Sequence, residues 1–236
     1  WNIDFNDVVY EHIESGADIT EIMHQNIRLK TFIIKKKLLL EYILSYDSLE
    51  YRSMLDLVDK APNLKIHIYK HREYTRTITD SFNYLKSNLD MLRFDNGRNI
   101  FREDRPVFSK EKPAPPAKYL SNAKAENSMV SSGSIIDGTI INCIIGRDVV
   151  IKKGAIVKNS YIMSGCFIEE KAHIEYAVLD KQTIVKKDTL VTGTLREPYI
   201  SQKEQIVSNV DSLNLKVVQQ QNQIQFRHCL VDTVRH

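Results

Sequence analysis

The residues with the most chemical reach are a tight basic group, seven histidines and three cysteines. His71, Arg72 and Arg76 fall just ahead of a helical pattern that begins at Asp80. Guanidinium forks beside a helix N-terminus suit a phosphate, so Arg72 and Arg76 are candidate contacts for a phosphorylated ligand. The same spacing also fits a solvated loop. The other histidines (His12, His24, His67, His173, His228 and His236) are dispersed and form no metal-binding pattern. Cys143, Cys166 and Cys229 cannot all pair and lack metal spacing, which reads as the reduced thiols of a cytoplasmic protein. Neither a glycine-rich phosphate loop, nor an H-E-x-x-H pair, nor a G-x-S-x-G elbow occurs. Charged residues make up 27% of the chain and balance to +3, with no single-sign block suited to nucleic acid or a membrane surface. The lysines at 35–37 and 152–153 read as solvated faces. No apolar run reaches membrane-spanning length, and no signal-peptide pattern is present.

Two kinds of element must position these groups, and a repeat identifies the larger. Asn127-Ser128-Met129-Val130, Asn142-Cys143-Ile144-Ile145, Asn159-Ser160-Tyr161-Ile162 and Tyr176-Ala177-Val178-Leu179 are versions of one phrase, returning after 15, 17 and 17 residues. Within it runs a shorter beat. Ile136, Ile141, Ile145, Ile151, Val157, Ile162, Ile168, Ile174, Leu179 and Val185 recur every four to six residues. This predicts a left-handed parallel β-helix of hexapeptide repeats. Each beat is a short strand with one aliphatic side chain inward, and three strands close a coil. No coil buries its own face, so coils must stack. An α-helix would space apolar residues by three or four, and a pleated strand by two. A β-sandwich is the rival reading, but it gives no reason for asparagine at a fixed interval. Cys143 and Cys166 sit in the repeat and read as packed side chains.

The first 92 residues read differently. Helical spacing over Asn6–Ile13 stops at Ser15-Gly16, and strands are expected over 17–23 and 29–34. Helices follow over 36–44 and 48–58, then a strand over Leu64–Tyr69 and a helix over Asp80–Leu92. Strands alternating with helices predict an α/β layer. Pro106, Pro113, Pro115 and Pro116 mark a linker over 93–118, laid along the surface. The β-helix is expected over 119–200, with Arg196-Glu197-Pro198 breaking it and 201–236 left as a tail. In that tail Val217-Val218 and Ile224-Gln225-Phe226 look strand-like.

This order, an α/β domain, a proline linker and a C-terminal left-handed β-helix, resembles the sugar-nucleotide pyrophosphorylases. Lys158-Asn159-Ser160-Tyr161-Ile162-Met163 is similar to the "KNSVIM" coil of glucose-1-phosphate adenylyltransferases. Tyr84 to Leu92 is similar to that family's "YWEANLDLL" helix, and Pro115-Pro116-Ala117-Lys118-Tyr119 to its "PPAKY" lead-in. Asp4-Phe5 and Ala17-Asp18-Ile19-Thr20 match a further helix and strand. The resemblance covers roughly residues 2 to 200 and implies a partial α/β nucleotidyltransferase-like domain, its second half only. The family's nucleotide loop and its "GDHIY" aspartate would precede Trp1, so the chain is expected to lack its natural beginning.

Departures from the family carry the functional expectation. Its "YWRDVGT" aspartate holds the metal that bridges the phosphates, and Thr77 stands at that position. Its "SMGIYVF" serine meets the sugar, and Arg28 stands there, with Lys30 close behind; both are expected to fill a sugar pocket. Its "FxEKP" segment has no counterpart between Met23 and Arg28, where only His24-Gln25-Asn26-Ile27 stand, so a stretch of chain is expected to be missing there. These departures resemble the non-catalytic D-type regulatory subunit of glycogen biosynthesis. The resemblance implies a catalytic adenylyltransferase subunit or further copies of this chain as partners in a tetramer, and a small phosphorylated metabolite as effector. Magnesium then belongs to the family reaction and not to a site on this chain. Two alternatives stand beside this one. In a working adenylyltransferase, Arg76 and Asp80 would lie near the phosphates. In a hexapeptide-repeat acyltransferase, His173, the histidine within the repeat, would serve as general base.

Overall fold

The structure is a computed structural model that describes residues 2–45, 58–59, 63–108 and 113–209. It divides into two units, one of residues 1–77 with 99–107 and one of residues 78–98 with 108–236.

The first unit starts with helix α1 (Phe5–Ser15). The Asp4 carboxylate accepts the Asn6 N–H at its start, and Gly16 ends it in the left-handed region at φ 58°. Strands β1 (Ile19–His24) and β2 (Ile27–Ile34) follow, then helix α2 (Lys36–Ser45) and strand β3 (Ile66–His71). The sheet order is β2-β1-β3, antiparallel on one side and parallel on the other. A central strand is covered on both faces, so Ile19, Thr20, Glu21 and Ile22 are all buried where a half-exposed strand would alternate. Met23 pairs with Arg28 and His24 with Ile27, leaving Gln25 and Asn26 as a two-residue hairpin turn with Gln25 at φ 53°. The helix expected over 48–58 falls outside the described residues except for Val58.

The second unit starts with helix α3 (Ser81–Asp90), capped by the Asp80 carboxylate on the Asn83 N–H at 2.7 Å. Within the expected linker, residues Phe94–Ile100 form a short helix α4. Among the described residues sixteen short strands follow, β4 (Lys118–Tyr119) to β19 (Ile206–Val207), and these pair in parallel. They form three sheets of six, five and five strands, ordered β19-β16-β13-β10-β7-β4, β17-β14-β11-β8-β5 and β18-β15-β12-β9-β6. Successive strands go to successive sheets, which is the three-sided coil that the repeat predicted. Its interior is one stack, with Ile136, Ile145, Ile151, Val157, Ile162, Ile168, Ile174, Leu179 and Val185 buried, each worth about 1.5–3 kcal/mol. Ile140, not Ile141, takes the inward place in β8 (Thr139–Ile141). A strand alternates its faces residue by residue, so a beat read one residue late swaps inside for outside. Cys143 and Cys166 are both buried in this core.

The repeated phrase now has a physical cause. Asn127, Asn142, Asn159 and Tyr176 all hold positive φ, at 40°, 53°, 47° and 49°, and form one corner of the coil. Asparagine tolerates this conformation better than most side chains. Its amide also bonds along the axis: Asn127 Nδ2 donates to Asn142 Oδ1 (2.8 Å), and Asn142 Nδ2 to Asn159 Oδ1 (3.2 Å). The serine that follows turns inward. Ser128 Oγ accepts the Cys143 N–H and Ser160 Oγ the Ala177 N–H, each at 3.0 Å. At Gly138 the next coil's backbone comes close: a Cβ there would lie 2.4 Å from the Ala155 carbonyl.

The stack does not end at Arg196-Glu197-Pro198. Val178 pairs with Ile200 and Val185 with Val207, 22 residues apart where earlier partners lie 15 or 17 apart. The extra residues form a loop closed by Thr194 N–H on the Glu197 carbonyl at 3.0 Å, and the coil resumes to Val207. The strand-like segments expected at 217–218 and 224–226 lie outside the described residues, as does Cys229.

Candidate functional site

The first unit holds a cleft of about 510 Å³ at the C-terminal end of β3. Helix α1 and its cap present Asp7, Glu11 and Asp4 to it, β3 and the residues after it present Lys70, His71, Arg72 and Glu73, and the segment after α4 presents Arg102, Asp104 and Arg105. Most of this charge is already paired. Arg105 Nη2 donates to both Glu73 oxygens at 2.6 and 2.7 Å, and Arg102 Nη1 donates to Glu73 Oε1 at 2.6 Å. Arg102 also forks onto Asp104 at 2.7 and 2.6 Å, and Arg105 Nη1 reaches the Asn2 carbonyl at 2.9 Å. Beside them lies His71, buried, with Nε2 unpartnered. Burial lowers its pKa, against the pull of Glu73, so it is neutral at pH 7. The His71 carbonyl accepts from His24 Nδ1 at 3.0 Å.

The predicted residues separate in space. Arg72 lines the cleft, and no acidic partner among the described residues lies within ion-pair distance of it. Arg76 is not part of the cleft wall; its guanidinium lies 5.8 Å from the Tyr74 ring centroid. Thr77 is exposed. Arg102, Arg105 and Glu73 were not singled out by sequence reasoning, because the first two fall in a stretch read as linker. Their only local signal is the charged run Arg102-Glu103-Asp104-Arg105 before Pro106.

Arg28 is held by two carboxylates. On the hairpin it stands opposite Met23 and so diagonal to Glu21, within reach of a long side chain. Its Nε donates to the buried Glu21 carboxylate, and its Nη1 to Asp59 at 2.9 and 3.1 Å. The Glu21 hydrogen bond, foremost, raises the Arg28 pKa further. Lys30, expected to fill a pocket beside it, is exposed at φ 54°, next to a register shift in the β1–β2 ladder.

Around Thr77 the described side chains offer no ready magnesium ligand set. Thr77 offers a neutral hydroxyl. The nearby Asp80 carboxylate is held by the Asn83 N–H, by Thr79 Oγ1 at 3.0 Å and by Asn83 Nδ2 at 2.8 Å, and these bonds, the Asn83 N–H first, lower its pKa. Among the described residues no three His, Cys, Asp or Glu side chains come together to hold a metal. His173 lies on the outward side of β14 (His173–Glu175), half-buried, with Nε2 3.9 Å from Glu175 Oε2. Nothing there resembles a nucleophile–base pair. No helix among the described residues is long and apolar enough to cross a membrane.

These features define a class: a partial α/β unit, its cleft lined by its own ion pairs, followed in the chain by a hexapeptide-repeat β-helix. Residues 115–198 match the family model described as GlmU-like, C-terminal hexapeptide. Across more of its length the chain is homologous to two groups of proteins. It is 29% identical over 203 residues to the glycogen biosynthesis protein GlgD of Bacillus subtilis, covering 86% of this chain and 59% of that protein. To the GlgD of Geobacillus stearothermophilus it is 34% identical over 157 residues, 66% of this chain and 46% of the relative. To a glucose-1-phosphate adenylyltransferase of Corynebacterium diphtheriae it is 33% identical over 130 residues, 54% and 30%. The chain thus spans about half the length of the curated relatives it matches.

Proposed function

We propose that this chain serves glycogen biosynthesis as a regulatory and assembly subunit of glucose-1-phosphate adenylyltransferase in the cytoplasm. A catalytic subunit would make ADP-glucose from ATP and glucose 1-phosphate, and this chain would tune it within a tetramer. One observation carries the reading. At the family's metal-aspartate position the chain has Thr77, and the nearest carboxylate in sequence, Asp80, is spent on a helix cap. The commitment of Arg28 to Glu21 and Asp59 supports it, since a guanidinium bound twice is a poor substitute for a small sugar-contacting residue. Arg72 remains the candidate contact for a phosphorylated effector, with Arg76 the second candidate from the sequence.

The test is turnover with ATP, glucose 1-phosphate and magnesium, for this chain alone and mixed with a catalytic adenylyltransferase. The expected result is no product from this chain alone and a changed rate or effector response in the mixture. Strong turnover by this chain alone overturns the reading.

A further inference from the structure

One side of strand β3 is open. Among the described residues β3 ends its sheet, with β1 on one side and no strand on the other. The Lys65 carbonyl accepts the Asp18 and Ile19 N–H groups, so Lys65 faces β1, and alternation turns His67, Tyr69 and His71 the same way. Ile66, Ile68 and Lys70 therefore point their N–H and C=O groups away from β1, and Ile68 and Lys70 line the cleft. A row of unpaired backbone groups is a template for another strand. The side chains of Ile66 and Ile68 beside it are 41% and 45% exposed.

The walls of this groove are polarised. Helix α1 runs antiparallel to β3, since Glu11 meets His67 at 3.1 Å and Lys65 Nζ reaches the Ser15 carbonyl. Asp7 then falls beside Tyr69, whose pKa is raised by burial first and by Asp7 next. Lys70 and Arg72 stand at the far end of the strand. With the ion pairs inside the cleft set aside, Asp7, Lys70 and Arg72 are left without an ion-pair partner among the described residues. His71, 5% exposed, lines the same groove with its Nε2 unpaired. A buried polar atom left open beside an unpaired strand edge calls for an occupant.

We propose that the groove takes the extended C-terminal peptide of a partner protein, added as a further strand parallel to β3. In that direction the peptide's α-carboxylate falls at Lys70 and Arg72, whereas the reverse direction would set it beside Glu11. Paired residues of neighbouring strands share a face. Peptide residues opposite His67 and Tyr69 therefore turn toward α1 and are basic, to meet Asp7. Those opposite Ile66 and Ile68 turn to the other face and are apolar. The recognised sequence is an alternation of apolar and basic residues that ends in a free carboxylate. The backbone ladder holds the peptide, and the charges at the two ends set its direction. This goes beyond the proposed function and is read by binding alone, so the outcome of the turnover assay does not bear on it.

The experiment is fluorescence anisotropy of the full chain with the peptide Val-Arg-Val-Arg-Val, labelled at its N-terminus and free at its C-terminus. The same peptide as its carboxamide, and Val-Glu-Val-Glu-Val, are each expected to bind roughly tenfold more weakly. Ile68→Pro removes an outward N–H that the β1–β3 ladder does not use, so the fold is expected to persist by circular dichroism while binding falls by roughly tenfold or more. Asp7→Lys is expected to reverse the preference, toward the glutamate peptide. No saturable binding of the arginine peptide to the wild-type chain up to about 1 mM overturns the proposal. So does binding that the carboxamide and Ile68→Pro both leave unchanged, since charge alone then holds the peptide. If Ile68→Pro does not fold, Asp7→Lys decides, and an unreversed preference overturns the proposal.

Discussion

Replacing Arg28 by serine supplies the small residue that the family resemblance leads one to expect at this position, so it separates a structural from a functional account of it. The geometry predicts loss of stability and no gain of function. The Glu21 side chain is 6% exposed and its ion-pair partner is Arg28, itself 33% exposed. Removing one member of a buried pair costs about 3–5 kcal/mol. The partial exposure of Arg28 admits water to the abandoned carboxylate and brings the figure to roughly 2–3 kcal/mol. Loss of the Asp59 contact adds little, because that side chain is 56% exposed. For a unit of this size, roughly 4–8 °C accompanies each kcal/mol, so the melting transition of the first unit is expected to fall by roughly 10–20 °C. The assay is thermal unfolding, with hydrogen exchange at the β1 and β2 amides to assign the transition to this unit. The double variant Glu21→Gln/Arg28→Ser is expected to recover most of the loss, since an amide can be buried without a counter-ion. A single-variant effect within about 0.5 kcal/mol, the size of an ordinary surface change, refutes the claim that Arg28 is held as the counter-ion of Glu21.

Other outcomes follow from the same coordinates. His12, buried with Nδ1 2.8 Å from Thr20 Oγ1, has its pKa lowered by burial first and by Lys35 next, and His71 likewise by burial. Folding thus favours the neutral rings. Their stabilisation is whole above about pH 6.5 and is lost as pH falls through the folded values, at up to about 1.4 kcal/mol per pH unit for each, which thermal melts between pH 7.5 and 5 would record and which His12→Gln would flatten. Ile162→Ala empties the middle of the β-helix between Ile145 and Leu179 and is expected to cost about 2–5 kcal/mol in urea unfolding. Asn159→Ala places a Cβ-bearing residue without a polar side chain at φ 47° and breaks the amide ladder, for about 1–2 kcal/mol, whereas Asn159→Gly is expected to cost less. Cys143 and Cys166, their pKa values pushed up to about 11 by burial, are expected to resist alkylation in the folded chain and to react in guanidinium, as read by peptide mass.

What the sequence alone determined is the periodic part. A β-helix is built of contacts between residues 15 to 17 apart, each coil repeating the last, so its fold, its core and its asparagine corner are written as a period along the chain. Ile141 for Ile140 was the one misplaced core residue, a slip of one position in a two-residue alternation. The loop at Arg196-Glu197-Pro198 reads in sequence as the end, because an insertion within one coil interrupts a period as an ending does. The cleft was decided by tertiary structure. Glu73 meets Arg105 and Arg102 across about 30 residues of chain that have no common period, and Glu21 meets Arg28 only because a tight hairpin sets them diagonally across two strands. Composition displayed those charges in the sequence. Only the fold shows that most of them are already paired with each other, leaving Arg72 at the cleft with no acidic partner within ion-pair distance among the described residues.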